Sequence, residues 1–215
     1  TEIINYRCSA INLINDQIQL GLAIGGPILL LMIGLAPWAI TLLYSDDFYP
    51  ATELLQWQTV GNVLKLASWP LVFSFVAASK SKTFVLIGLS FNIIFLAFVW
   101  LFIPSLGLKA TAIAFLIGYA THFGLTTILA YASLNFRWKN LSLFLLILHL
   151  TLAVLLLAVS QAMPQATAIL AIIFSITTGI IGLRIVLTKT GSYGSVGRRC
   201  VRIFQAIGWP IKEYQ

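Results

Sequence analysis

Six apolar runs follow one another along the chain, at about 19–44, 54–78, 83–103, 109–134, 141–160 and 166–187, each closed by charges or by proline and glycine. A run of about 20 such residues is what a helix needs to cross about 30 Å of hydrocarbon. Runs such as LFLLILHLTLAVLLLAV lack the alternation of a membrane barrel. Open strands would leave backbone groups unsatisfied in lipid. The pattern therefore predicts an all-α integral membrane protein, with six transmembrane helices in a domain over 19–187.

The flanks read differently. Over residues 1–18, Ile3, Ile4, Cys8, Ile11, Ile14 and Ile18 recur at helical spacing, with Asn5, Arg7, Asn12, Asn15 and Asp16 between them. This predicts an amphipathic helix. It either lies on the membrane surface or leads into the first span from the cytoplasm, and the second is preferred because no loop signal precedes Gln19. Gly25-Gly26-Pro27 and Pro37 predict kinks in that span. Residues 188–215, with SYGSVGRRC, read as a flexible basic cytoplasmic tail near anionic lipid. Because the chain opens on Thr-Glu-Ile-Ile without a signal segment, it reads as part of a longer protein.

Composition agrees with the bilayer as solvent. The 215 residues are 60% hydrophobic and only 9% charged, against about 25% charged in soluble domains, and the mean hydropathy is +0.97. The net charge of +7 is spread over short loops, whereas a nucleic-acid binder gathers its basic residues on one face. No nucleic-acid partner is expected. Cys8 and Cys200 show no spacing of a metal site or disulfide framework. No phosphate loop, ligand cluster, nucleophile elbow or carboxylate pair occurs, so neither an enzyme nor a cofactor is expected.

Loop charges orient the spans. Lys80 and Lys82, then Arg137 and Lys139, then Arg184, Lys189, Arg198, Arg199, Arg202 and Lys212 lie on one side. The opposite connections hold Asp46, Asp47 and Glu53, then Lys109 alone, then the uncharged QAMPQA. The positive-inside rule puts the first group, Arg7 and both termini in the cytoplasm. Trp138 and Trp209 then flank cytoplasmic ends and Trp57 and Trp100 outer ends, as interfacial belts do.

Against this background Lys65 stands out. It lies near the middle of the second span, roughly 15 Å from either surface, too deep for its stem to snorkel out. An ammonium facing lipid there costs about 3 kcal/mol on insertion scales. Gln58, Asn62, Lys65 and Trp69 share one helix stripe, which reads as the wall of an aqueous cavity; the alternative is a slightly off-centre lysine paired with backbone carbonyls or a distant carboxylate. In the fourth span Thr111, Tyr119, His122 and Thr126 fall near one face, with His122 either a second cavity residue or a hydrogen-bonded packing residue. Asn92 and His149 read as packing residues. No Asp or Glu lies inside an expected span, so no carboxylate relay for protons or sodium is expected.

The stretch PILLLMIGLAPWAITLLYSDDFYPATELLQWQTVGNVLKLASWPLVFSFVAASKSKTF, followed by FIPSLGLKATAIAFLIGYA, resembles the C-terminal half of bacterial O-antigen and polysaccharide flippases. These belong to the multidrug/oligosaccharidyl-lipid/polysaccharide exporter superfamily. The resemblance covers about residues 17–134. It implies one lobe, the C-terminal one, of a two-lobed transporter in the bacterial inner membrane, moving undecaprenyl-pyrophosphate-linked oligosaccharide by alternating access. The implied partners are the lipid-linked oligosaccharide, membrane lipids, an N-terminal lobe missing from this sequence, and other polysaccharide-assembly proteins. The cavity candidates Lys65, Asn62, Gln58 and His122 would then meet the substrate. A related exporter, such as a multidrug antiporter or a peptidoglycan-precursor flippase, and a membrane-embedded assembly enzyme are the alternatives.

The orientation is directly testable. Cysteine introduced at Asp46 or Gln165 should react with an impermeant thiol reagent added outside, and cysteine at Ser81 should not; the reverse pattern would overturn the topology.

Overall fold

In a computed structural model that describes residues 2–191, 194–206 and 208–209, the chain is almost wholly helical. The helices are α1 (Glu2–Leu43), α2 (Ala51–Ala77), α3 (Ser81–Leu106), α4 (Lys109–Leu134), α5 (Asn140–Ser160), α6 (Pro164–Thr190) and α7 (Gly194–Ala206), with a 3-10 turn at Asp46–Phe48. The first six, counting α1 from Ser9, are long and apolar enough to cross a membrane.

Residues 1–18 and the first expected span form one helix as far as they are described, because nothing between Asp16 and Leu20 breaks the backbone. The helix also runs on through Pro27 and Pro37. Proline leaves the carbonyl four residues earlier without its helical donor, and in hydrocarbon that carbonyl needs another partner. For Pro37 it is Ile33, whose carbonyl accepts from the Gln56 side-chain amide of α2 at 3.0 Å. Ser160 of α5 donates in turn to the Gln56 carbonyl oxygen at 3.1 Å. For Pro27 the freed carbonyl is Ala23, against which α6 brings the backbone of Gly182 so closely that a Cβ there would collide with the oxygen.

α1 is the hub, packed on α2, α5 and α6, while α4 joins α2 to α3. Lipid tails are as apolar as leucine, so close packing and interhelical hydrogen bonds hold such a bundle together. Small residues permit the approach: Gly34 abuts Ala171 of α6, and Gly26 sits under the His149 ring of α5. The core is built from Leu22, Leu30 and Ile33 of α1, Leu71 and Phe75 of α2, and Leu145 and Leu156 of α5. α3 contributes only Ile87 to the buried set.

The N-terminal end of α1 departs from the expected amphipathic pattern. Asn15 is fully buried. Its amide donates to the Arg137 carbonyl at 2.9 Å, and its oxygen accepts from the Lys139 N–H at 2.8 Å and the Ser142 hydroxyl at 2.7 Å. Gln19 donates to the same hydroxyl at 2.9 Å. Asp16 pairs with Lys189 of α6 at 2.6 Å and lies 4.0 Å from Lys139. The polar stripe thus ties α1 to the α4–α5 connection and to α6. At the opposite end Glu53 and Lys109 pair at 2.7 Å.

The expected flexible tail is also corrected in part, since Gly194–Ala206 forms α7. Its Cys200, Val201 and Phe204 pack with Leu187 of α6, and the Arg184 guanidinium lies 4.2 Å from the Trp209 ring. The side chains of Arg7 and Cys8, and residues 210–215 with Lys212, lie outside the described residues.

Replacing Gly182 by leucine should cost about 1–3 kcal/mol through overpacking, read as a fall in the midpoint of thermal unfolding in detergent. Gly124→Ala, at a site open on all sides, should leave the midpoint unchanged or raise it slightly; equal losses for both variants would contradict the α1–α6 contact.

Candidate functional site

α2 has no single buried face, and its polar residues divide between two environments. Gln56, Thr59 and Ser68 are buried, and each hydrogen-bonds a backbone carbonyl: Gln56 that of Ile33, Thr59 that of Leu55 and Ser68 that of Lys65. Asn62, Lys65 and Trp69 instead line an open cavity of about 240 Å³, together with Gly25, Ile28 and Leu29 of α1 and Leu66. Three residues of the expected stripe are therefore brought together. Gln58, half-buried and one turn toward the acidic end, is not among the residues lining that cavity.

Lys65 is the fifteenth of the 27 residues of α2, which fixes it at mid-helix. Among the described residues no carboxylate reaches it, since Glu53 is taken by Lys109 and Asp16 by Lys189 and Lys139. Among the described residues neither a carbonyl nor a carboxylate holds it. Its Nζ lies instead 5.2 Å from the centroid of the Trp69 ring and 5.4 Å from that of Tyr119. Ring faces attract a cation by about 0.5–2 kcal/mol, more as water is excluded, but they do not cancel its charge. A half-buried ammonium with two aromatic neighbours and no counter-ion is suited to receive an anion.

Tyr119 also links the two surfaces that the sequence reading kept apart. Its ring lies 5.6 Å from that of His122 and is wedged between Phe91, at 4.5 Å, and Phe115, at 4.7 Å. Gly118 and Gly61 leave room for this cluster, since a Cβ on either would press on Phe91 or Phe115. His122 is buried, its Nδ1 has no hydrogen-bond partner among the described residues, and it lines a second cavity of about 350 Å³ shared with Tyr119, Phe73 and Trp69. Trp69, 48% exposed, forms the wall between the two spaces.

The remaining α4 residues are spent locally. Thr126 donates to the His122 carbonyl at 2.6 Å and Thr111, at the far end of the helix, to the Leu108 carbonyl at 2.7 Å. Asn92 bonds its own helix at Gly88. His149 is buried against Gly26, with Nδ1 at 2.8 Å from the Leu145 carbonyl. The sequence put Trp69 on the stripe of Lys65 without identifying it as the partner of the ammonium, and it gave no sign of Tyr119. The i+4 spacing to Trp69 was a readable signal, whereas Tyr119 lies 54 positions away. No group of His, Cys, Asp and Glu among the described residues could hold a metal ion.

Comparison with known proteins points the same way. No family model matches the chain, and no solved structure matches it. Over 91 residues it is 30% identical to the Lipid III flippase of Escherichia coli (strain K12), and to the same extent to the Lipid III flippase of Shigella flexneri. The match takes in 42% of this chain and 22% of each relative, so the chain spans about a fifth of the length of these curated relatives. The similarity is to proteins named as lipid flippases and does not single out the O-antigen branch.

Proposed function

We propose that this chain is part of a flippase that carries undecaprenyl-pyrophosphate-linked oligosaccharide, the repeat unit of O-antigen or another polysaccharide, across a bacterial inner membrane by alternating access. The observation that carries this reading is Lys65, a mid-helix ammonium in a cavity wall with aromatic neighbours and no carboxylate partner. A pyrophosphate must cross a region where unpaired charge is costly, and Lys65 offers it a counter-charge there. The Asn62 amide can bond sugar hydroxyls, and the exposed face of Trp69 can stack on a sugar ring. Gln58, one turn toward the outer end, is the next polar group on the way out. The relatives are named as flippases of a lipid, which fits an amphiphilic cargo. Both termini face the cytoplasm in this reading, and an N-terminal lobe completes the cavity.

In the full-length protein, the charge of Lys65 should matter more than its bulk. Lys65→Arg should keep partial transport, whereas Lys65→Gln, Lys65→Met and above all Lys65→Glu should abolish surface polysaccharide at normal membrane abundance. A charge-assisted hydrogen bond contributes about 1.5–3 kcal/mol, so transport should fall about tenfold or more. Asn62→Ala and Gln58→Ala should give milder losses. Parental transport by Lys65→Met would falsify the role of this cation.

A further inference from the structure

A third space adjoins the two described so far. Phe73 belongs both to the wall of the 350 Å³ space beside His122 and to that of a larger one, of about 630 Å³, between α1, the end of α2 and the end of α4. Trp69 and Phe73, one helical turn apart, thus join three spaces along one helix. The row starts beside Lys65 and ends beside Lys80. Ala77, the last residue of α2, lies about 18 Å along the axis from Lys65 at 1.5 Å per residue.

The large cavity has the chemistry of an amphiphile site. Ile14, Pro70, Phe73 and Leu134 make an apolar trough, while Gln17, Lys80 and Asn135 give it a polar edge. Its size falls within the range of about 300–1,000 Å³ usual for small-molecule pockets. Local backbone geometry builds that edge. Ser79 and Asn135 adopt left-handed conformations, with φ of 58° and 54°, just after α2 and α4. The first turn places Lys80 against the end of α4, where its ammonium donates to the Ser133 carbonyl at 2.8 Å. An ammonium has three donors, so Lys80 can hold that carbonyl and still meet an anion. The second turn sets Phe136 in the wall.

From this placement we infer that the 630 Å³ cavity is a loading site for an isoprenoid diphosphate, its chain in the trough and its diphosphate on Lys80, from which the head group passes along α2 to Lys65. The inference rests on the proposed transport of a lipid-linked saccharide and adds where the lipid carrier first binds. Three features select this occupant. One trough accommodates a single chain, Lys80 matches an anionic head, and the cavity adjoins the row that leads to the mid-helix cation. An ordinary two-chain phospholipid has no use for that row.

The test uses the full-length protein in phosphatidylcholine nanodiscs, photolabelled with a benzophenone-bearing farnesyl diphosphate and mapped by mass spectrometry. Labels should fall on residues 10–17, 70–80 or 133–136. Ala77→Trp, which fills the trough from an exposed position, should bring labelling there to background. Lys80→Gln should lower it about tenfold or more, the factor of one charge-assisted hydrogen bond, while a benzophenone farnesol probe labels as before. Lys65→Met should leave labelling at this cavity within about twofold, as expected of a distant independent site. Parental labelling of both Ala77→Trp and Lys80→Gln, with unfolding midpoints unchanged, would overturn the site. Competition by excess phosphatidylglycerol as strong as that by farnesyl diphosphate would overturn it too, by showing a groove for bulk lipid. Should Lys65→Met transport normally while Ala77→Trp still removes the label, the role of Lys65 fails and the isoprenoid diphosphate site stands.

Discussion

Hydrocarbon offers no hydrogen-bond partner, so every polar group carried into the membrane must be answered from within the chain or by a ligand. Most of the arrangement of this bundle follows from that. Pro37 would strand the carbonyl of Ile33, and Gln56 is held at the α1–α2 interface to answer it, with Ser160 satisfying the other side of the same amide. Asn15, Gln19 and Ser142 form a closed set in which every bond crosses between helices or to the α4–α5 connection, apart from one to Ile11 within α1. Asp16 is neutralised by two lysines from different parts of the chain. These bonds fix the register of α1 against its neighbours, because sliding one turn would leave several of them unmade.

The same constraint makes the exceptions informative. Lys65 and the Nδ1 of His122 are two mid-helix groups left without a hydrogen-bond or ion-pair partner among the described residues, the first meeting aromatic rings. Both adjoin cavities, and Tyr119 stands between them. A group that is satisfied internally serves the fold, whereas one left open toward a space is available to a ligand. His149 is the contrast, buried and with one nitrogen also unmatched, but packed against α1 at Gly26, whereas His122 lines a cavity.

Packing decides where those spaces lie. On one side of α1, Gly34 against Ala171 and Gly182 against Ala23 bring α6 to backbone contact and leave no gap. On the other side, Trp69, Pro70 and Phe73 of α2 line open spaces beside α1 and α4. Tight contact on one flank and a line of cavities on the other go with the distribution of small and large side chains along two helices.

Much of the architecture was legible in the chain. Hydrophobic runs of spanning length dictate six helices whatever they pack against, since no other backbone form is tolerated in lipid, and a lysine in mid-run marks a functional candidate by its cost alone. The stripe of Asn62, Lys65 and Trp69 followed from helical periodicity, and two of these carry over as a cation and its ring. The sequence pattern could not say what each stripe faces. Asn15 reads as the polar side of an amphipathic helix, yet it is buried because its partners, Arg137, Lys139 and Ser142, come from more than a hundred residues away. Gln58 shares the stripe of Lys65 but does not line its cavity, because membership of a cavity depends on how the neighbouring helices pack and not on periodicity. The pairing of Lys65 with Tyr119, the continuity through Phe73 to Lys80, and the helix in the tail needed the tertiary structure. Periodicity reports the direction of a side chain from its own helix axis, whereas the angle and distance of the neighbouring helices are set by packing among all of them at once.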